Sequence, residues 1–178
     1  VGAFIILNAL LKGIRLHKAE LAAAPAPAPA AVLAPVATLS PVGRLERVLL
    51  VSDGSAFSAG AISEAIRLAG KCKGRLTALS VVMSDPEIES FGAQLLKQEE
   101  ARAQAHLEQI RAQAAAAGVD CDVVLDHAAN VHDAIVGAAD AGRADLIVMG
   151  RRGKSGLLKT MMGSTTAKVI GYANCSVL

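Results

Sequence analysis

Short blocks of leucine, isoleucine and valine alternate along this chain with longer stretches whose apolar residues recur every three to four positions. The block Glu46–Ser52, ERVLLVS, predicts a buried strand. Asp53-Gly54-Ser55 reads as a turn, with Ser55 placed to cap the helix that follows. That helix runs to about Lys71, with Ala61, Ile62, Ala65, Ile66, Leu68 and Ala69 on one face. Gly74 closes the connection and Arg75–Met83 reads as a second strand. Pro86 opens a long helix, Glu87–Ala117, whose apolar side carries Ile88, Phe91, Leu95, Leu107, Ile110 and Ala114 and which Gly118 ends. Val119–Leu125 is the third strand. Asn130 is placed to cap a short helix bearing Ala134, Ile135 and Ala138, which ends near Gly142. Asp145–Met149 is the fourth strand, Thr165–Tyr172 the last helix, and Ser176-Val177-Leu178 the start of a fifth strand.

Strand and helix alternate with no hairpin signal. This predicts an α/β fold, a parallel sheet with helices on both faces. In such sheets ligands lie beyond the carboxyl ends of the strands, where strand order reverses. If the first and fourth strands are neighbours, Asp53 and Gly150 face one crevice.

The pattern differs before residue 43. Residues 1–21 read as a helix, apolar from Ala3 to Leu11 apart from Asn8, then basic. A spanning helix needs about 20 apolar residues, so this one is too short to cross a membrane alone. Two readings stand: a surface or partner-binding helix, or the cytoplasmic end of a membrane helix. Residues 22–42 hold five of the six prolines, mostly as Ala-Pro, and read as a semi-rigid linker. The main domain is expected over 43–178.

Composition narrows the function. The net charge of +2 sits within 1–21 (Lys12, Arg15, Lys18, Glu20), so the remainder is neutral and offers no basic excess for nucleic acid. With no Trp, one Tyr and three Phe, stacking platforms for single strands are missing too. Three cysteines without a CxxC pair indicate neither a disulfide framework nor a zinc site, and suit a reducing, cytosolic setting. The four histidines form no metal spacing.

The stretch Gly150–Thr166, GRRGKSGLLKTMMGSTT, carries the chemistry. Glycines at a strand's end let the backbone approach a ligand, and a hydroxyl-rich helix start offers N–H groups and a positive dipole end. An anion site, most naturally a nucleotide's phosphates, is expected. Gly153-Lys154-Ser155 invites a P-loop reading, but GxxxxGK[ST] needs glycine at 148, where Val148 stands. No GxGxxG occurs. What matches is Gly-x2-Gly-x9-Gly-Ser at Gly150, Gly153, Gly163 and Ser164.

That spacing resembles the universal stress protein family, in its ATP-binding subgroup. The resemblance covers about residues 44–178 and includes RVLLVSDGS, DLIVMGRRGKSGL and MGSTTAKVIGYANCSVL. It implies an open, Rossmann-like five-stranded sheet of order 3-2-1-4-5, and homodimers often paired through the last strand. It implies ATP, alone or with Mg or Mn. By resemblance Asp53 contacts adenine or ribose, and the Val81 backbone meets adenine. Met149, Gly150 and Gly153 run along ribose and phosphates, and Gly163, Ser164 and Thr165 bind phosphate. Arg151 and Arg152 add charge there, both either clamping phosphate or merely solvated. Three features depart from the family pattern. Ala128-Ala129-Asn130 stands where glycine is common, Ser176 replaces a proline, and the fifth strand reaches only Leu178, which weighs against strand-paired dimers.

The expected function is a cytoplasmic, ATP-binding regulatory module that senses nucleotide and signals to a partner, with ATP hydrolysis slow at most. The alternative is a cytoplasmic regulatory domain fused to a membrane transporter, held at the inner face of the membrane through residues 1–21.

Overall fold

The central strand explains the architecture. Arg47–Val51 (β1) alternates its side chains across the sheet: Val48 and Leu50 pack into one apolar cluster, Leu49 into another. A strand buried on both faces needs a layer on each side. The computed structural model describes residues 45–84, 86–153 and 162–178, all within one compact unit, Leu39–Leu178. The helix expected over 1–21, the linker over 22–42 and the Lys154-Ser155 turn lie outside the described residues.

In chain order, β1 is followed by a 3₁₀ turn at Ala56–Ser58, α1 at Ala59–Cys72 and β2 at Arg75–Met83. Then come α2 at Pro86–Ala116, β3 at Cys121–Ala128, α3 at Val131–Ala141, β4 at Leu146–Met149, α4 at Ser164–Tyr172 and β5 at Ser176–Val177. All strands pair in parallel, in the order β3-β2-β1-β4-β5. The α/β class and this strand order agree with the sequence-based expectation.

One face is covered by α1 (Ile62, Ala65, Ile66, Ala69) and the C-terminal half of α2 (Leu107, Ile110, Ala114). The other is covered by α3 (Ile135, Ala139) and α4 (Val169). Leu50, Leu107, Ile110, Ile135, Ile147 and Val169 are fully buried. At the amino ends of the strands, the Asp145 carboxylate accepts hydrogen bonds from the Glu46 and Arg47 backbone N–H groups at 2.9 and 2.8 Å, fixing β4 beside β1.

Several local expectations change. Ser55 precedes the 3₁₀ turn but makes no side-chain cap bond, and Asn130 makes none to α3. Ser58 instead holds the first turn, donating from Oγ to the Ser55 carbonyl at 2.7 Å. Leu95 lies 60% exposed rather than in the core: at about 100° per residue it stands about 120° round α2 from the buried Leu107, off the inward stripe, and α2 also breaks its helical geometry at Gly92 (φ −125°, ψ 19°). The left-handed cap of α1 is Lys73 (φ 53°), and Gly74 closes the connection after it. Gly74 is required for space: a Cβ there would run into the Leu45 carbonyl. Lys73 therefore takes the strained cap conformation, at a cost of about 1–2 kcal/mol relative to glycine. Gly118 (φ +71°) does end α2 as expected, with Val119 N–H donating to the Ala114 carbonyl at 2.9 Å. Among the described residues no helix is long and apolar enough to cross a membrane.

Candidate functional site

Parallel pairing of β1 with β4 ends at Val51 opposite Met149. From there β1 leads towards β2 and β4 towards β5, on opposite sides, so the chain parts and leaves a crevice. Two lobes share Asp53, Val131, Gly153 and Thr165. The smaller lobe is mixed: Val51, Ile135 and Met149 line its floor, and Gly150, Arg152, Gly163 and Ser164 form a glycine-and-hydroxyl side that is its polar end. The larger, of about 380 Å³, is apolar, with Val81, Val82, Met83, Leu95 and Leu96 on its walls.

The glycines at the polar end are dictated by close approach. A Cβ on Gly150 would stand 3.1 Å from the carbonyl oxygens of Phe57 and Arg152. A Cβ on Gly153 would stand 2.8 Å from Asp53 Oδ2. Gly153 thus lets the carboxylate of β1's turn and the loop after β4 meet. Asp53 is also held from behind, since Oδ1 accepts the Ser55 N–H at 3.0 Å. The loop returns to α4 through the Gly163 N–H, which donates to the Arg151 carbonyl at 2.9 Å. The buried Thr166 hydroxyl donates to the Gly150 carbonyl at 3.1 Å. Gly163 is the N-cap of α4 and provides no side-chain oxygen, so no cap occupies the helix's first turn. The N–H groups of a first turn have no intrahelical partner, and they sit at the positive dipole end. Ser164 and Thr165 add hydroxyls at the same place.

All nine sequence-derived site residues line this crevice. Met149, Gly150, Arg152, Gly163 and Ser164 stand at the polar end, Val81 at the apolar end, and Asp53, Gly153 and Thr165 between them. Three residues that brace the walls of the crevice from behind escaped the sequence reading. Ser52, buried at the end of β1, is a hydrogen-bond hub: its Oγ lies 3.0 Å from Ser58 Oγ, 2.7 Å from His106 Nε2 and 3.4 Å from the Gly54 N–H. The polarity of the chain follows. Ser58 gives its only proton to the Ser55 carbonyl, so Ser52 donates to Ser58, and His106 Nε2 must donate to Ser52. Phe57 is the third: its ring, half exposed, lies under the Arg152 guanidinium, with Cζ 5.2 Å from the centroid. Ser52 and His106 are 54 positions apart, which no local pattern connects. A Phe three residues past a turn glycine was the available signal for Phe57.

Of the titratable groups with a resolved shift, the thiols lie away from the crevice. Burial pushes Cys121 and Cys175 above the usual thiol range. Among the described residues no three His, Cys, Asp or Glu side chains gather as a metal site.

Comparison with known proteins places this architecture. The model of the universal stress protein family matches residues 44–178. A universal stress protein of Methanocaldococcus jannaschii is 31% identical over 140 residues, 75% of this chain and 80% of the relative. One of Bacillus subtilis is 29% identical over 143 residues, 74% of this chain and 96% of the relative. Among solved structures, a universal stress protein from Lactobacillus plantarum matches with a TM-score of 0.70 at 27% identity, covering 76% of this chain and 97% of its own. A universal stress protein in complex with cAMP matches with a TM-score of 0.60 at 30% identity, covering 75% and 94%. With its fold, its crevice and both halves of the glycine spacing inside the matched residues, the chain belongs to the universal stress protein family.

Proposed function

We propose that this chain is a nucleotide-binding regulatory module and that its ligand is ATP. The observation that carries the reading is the crevice's division into a glycine-walled polar end at the α4 N-terminus and an apolar end beside β2, with Asp53 between them. A nucleotide has the same division. Phosphates suit the polar end, where backbone N–H groups and the Ser164 and Thr165 hydroxyls donate and a glycine wall leaves room. A purine suits the apolar end against Val81, Val82 and Leu96. Asp53 accepts hydrogen bonds, so it suits the ribose hydroxyls at the junction. The complex of a 30%-identical relative with cAMP supports an adenine ligand.

Mg or Mn would enter with the phosphates, whose oxygens are the hard ligands such ions take. Occupancy rather than turnover carries the signal in this reading, and a partner reads it. The homodimer belongs to the same reading, with the two-residue β5, Ser176–Val177, a short edge for strand pairing.

Calorimetric titration of the full chain with ATP, ADP, AMP, cAMP and GTP tests this. Saturable binding with ATP tightest is expected. Absence of binding by every adenine nucleotide at millimolar concentration overturns the reading.

A further inference from the structure

The Arg152 side chain is placed against an ordinary rule. Its Cα lies 3.5 Å from where a Cβ of Gly163 would stand, beside the N-terminus of α4, the positive end of that helix. A cation there is unfavourable unless something offsets it. Among the described residues no carboxylate forms an ion pair with Arg152. What it has is the face of Phe57, 5.2 Å from guanidinium carbon to ring centroid. A π face attracts a cation, and a stacked guanidinium keeps its N–H edges directed outward for other acceptors.

The placement of the ring is itself fixed. Phe57 sits in the 3₁₀ turn Ala56–Ser58, and its carbonyl oxygen lies 3.1 Å from where a Cβ of Gly150 would stand. The turn is anchored by Ser58, whose hydroxyl donates to the Ser55 carbonyl and accepts from Ser52. Ring and guanidinium therefore belong to two segments packed directly on each other, and the Arg152 segment walls the smaller lobe. Arg152 lines that lobe with Gly163, Ser164 and Thr165.

We infer that Phe57 is a positioning residue: its ring holds the Arg152 guanidinium at the polar end of the crevice, where it grades nucleotides by their number of phosphates. This rests on the nucleotide-binding reading above. Without the ring the guanidinium has more rotamers to lose on meeting a phosphate, and the helix end pushes it away until an anion arrives. Adenosine, which has no phosphate, is indifferent to the pair. The affinity gap between ATP and AMP is the quantity Phe57 sets.

The test uses the full chain and calorimetry with ATP, ADP, AMP and adenosine. Phe57→Leu keeps apolar bulk but has no π face, and Phe57→Tyr keeps the face. Phe57→Leu should weaken ATP about 3–10-fold while adenosine stays within about 2-fold. Phe57→Tyr should restore the wild-type ratio of ATP to AMP affinity. In an Arg152→Ala background, Phe57→Leu should have no further effect on ATP, because the two residues act as one unit. Equal weakening of adenosine and ATP would assign Phe57 a purely structural role and overturn the inference. So would unchanged ATP affinity in Phe57→Leu, or full additivity with Arg152→Ala. If the wild-type chain binds ATP and any of these holds, only the inference falls. If the wild type binds no adenine compound, the nucleotide reading falls and takes the inference with it.

Discussion

Gly153→Ala should separate binding from stability. The added methyl would lie 2.8 Å from Asp53 Oδ2, against an ordinary carbon–oxygen contact of about 3.3–3.6 Å. Something must yield by roughly 0.5–0.8 Å, the difference between those separations. The backbone can tolerate alanine, since Gly153 is absent from the residues with positive φ. The carboxylate yields, because it ends a short side chain that is only half buried. Two stability effects then oppose each other. Loosening the bond from the Ser55 N–H to Oδ1 costs about 0.5–1.5 kcal/mol. The reduced freedom of the unfolded chain returns about 0.4–1 kcal/mol. The net lies near zero. Binding has no such offset. A hydrogen bond to a charged group is worth about 1.5–3 kcal/mol, so a displaced Asp53 weakens ATP about 10–150-fold. Calorimetry gives the affinity and urea denaturation the stability. Gly60→Ala is the control, since nothing lies within 4 Å of a Cβ there; it should leave affinity unchanged and stabilise α1 by about 0.5–1 kcal/mol. Adding Asp53→Ala to Gly153→Ala should cost little more than either change alone. ATP affinity within 2-fold of wild type, or a stability loss above about 2 kcal/mol, would refute the argument that Gly153 acts by admitting the Asp53 carboxylate.

Leu50→Ala empties a fully buried position on β1 and should cost about 2–5 kcal/mol in urea denaturation, with the slope unchanged. Ser52→Ala removes the hub shared by Ser58, His106 and Gly54 and should cost about 1–3 kcal/mol; a loss below 0.5 kcal/mol would mean that water replaces the hydroxyl without penalty. Burial raises the Cys121 and Cys175 thiols, so iodoacetamide should label both more slowly than free cysteine near neutral pH, with rates rising as pH climbs above the ordinary thiol range. Folded thiols then hold protons that unfolded ones have released, so their contribution to stability is whole below that range and falls as pH rises through it. Labelling as fast as glutathione at pH 7 would contradict the burial.

Much of this fold is readable locally. The run RVLLVS announces a strand buried on both faces, and Ile62, Ala65, Ile66 and Ala69 mark the inward stripe of α1 by spacing alone. The order of the strands is a different matter. It came through resemblance to a family, because parallel pairing of Val48 with Leu146 leaves no trace in either segment. Caps failed where tertiary contacts decided. Ser55 looks like a cap, yet Ser58 secures the turn with help from Ser52 on the strand. Gly74 closes the connection as its type suggests, and the Leu45 carbonyl is what requires it, for space. At the crevice, glycine spacing and the acid after β1 were legible, since backbone approach restricts residue type. His106 was not, because its role depends on α2 crossing the end of β1, which a periodic pattern cannot express.

The pairing of β1 with β4 has a consequence for synthesis. β1, β2 and β3 emerge early, but the partner on β1's other side arrives roughly a hundred residues after β1 itself. At about 5–20 residues per second, β1 waits some 5–20 s as a leucine-rich edge with unpaired backbone groups. During that interval the nascent chain presents the ribbon most prone to stick to a neighbour's. Slowing translation beyond Ala141 should raise the aggregated fraction, and the arrival of Leu146–Met149 should end the hazard.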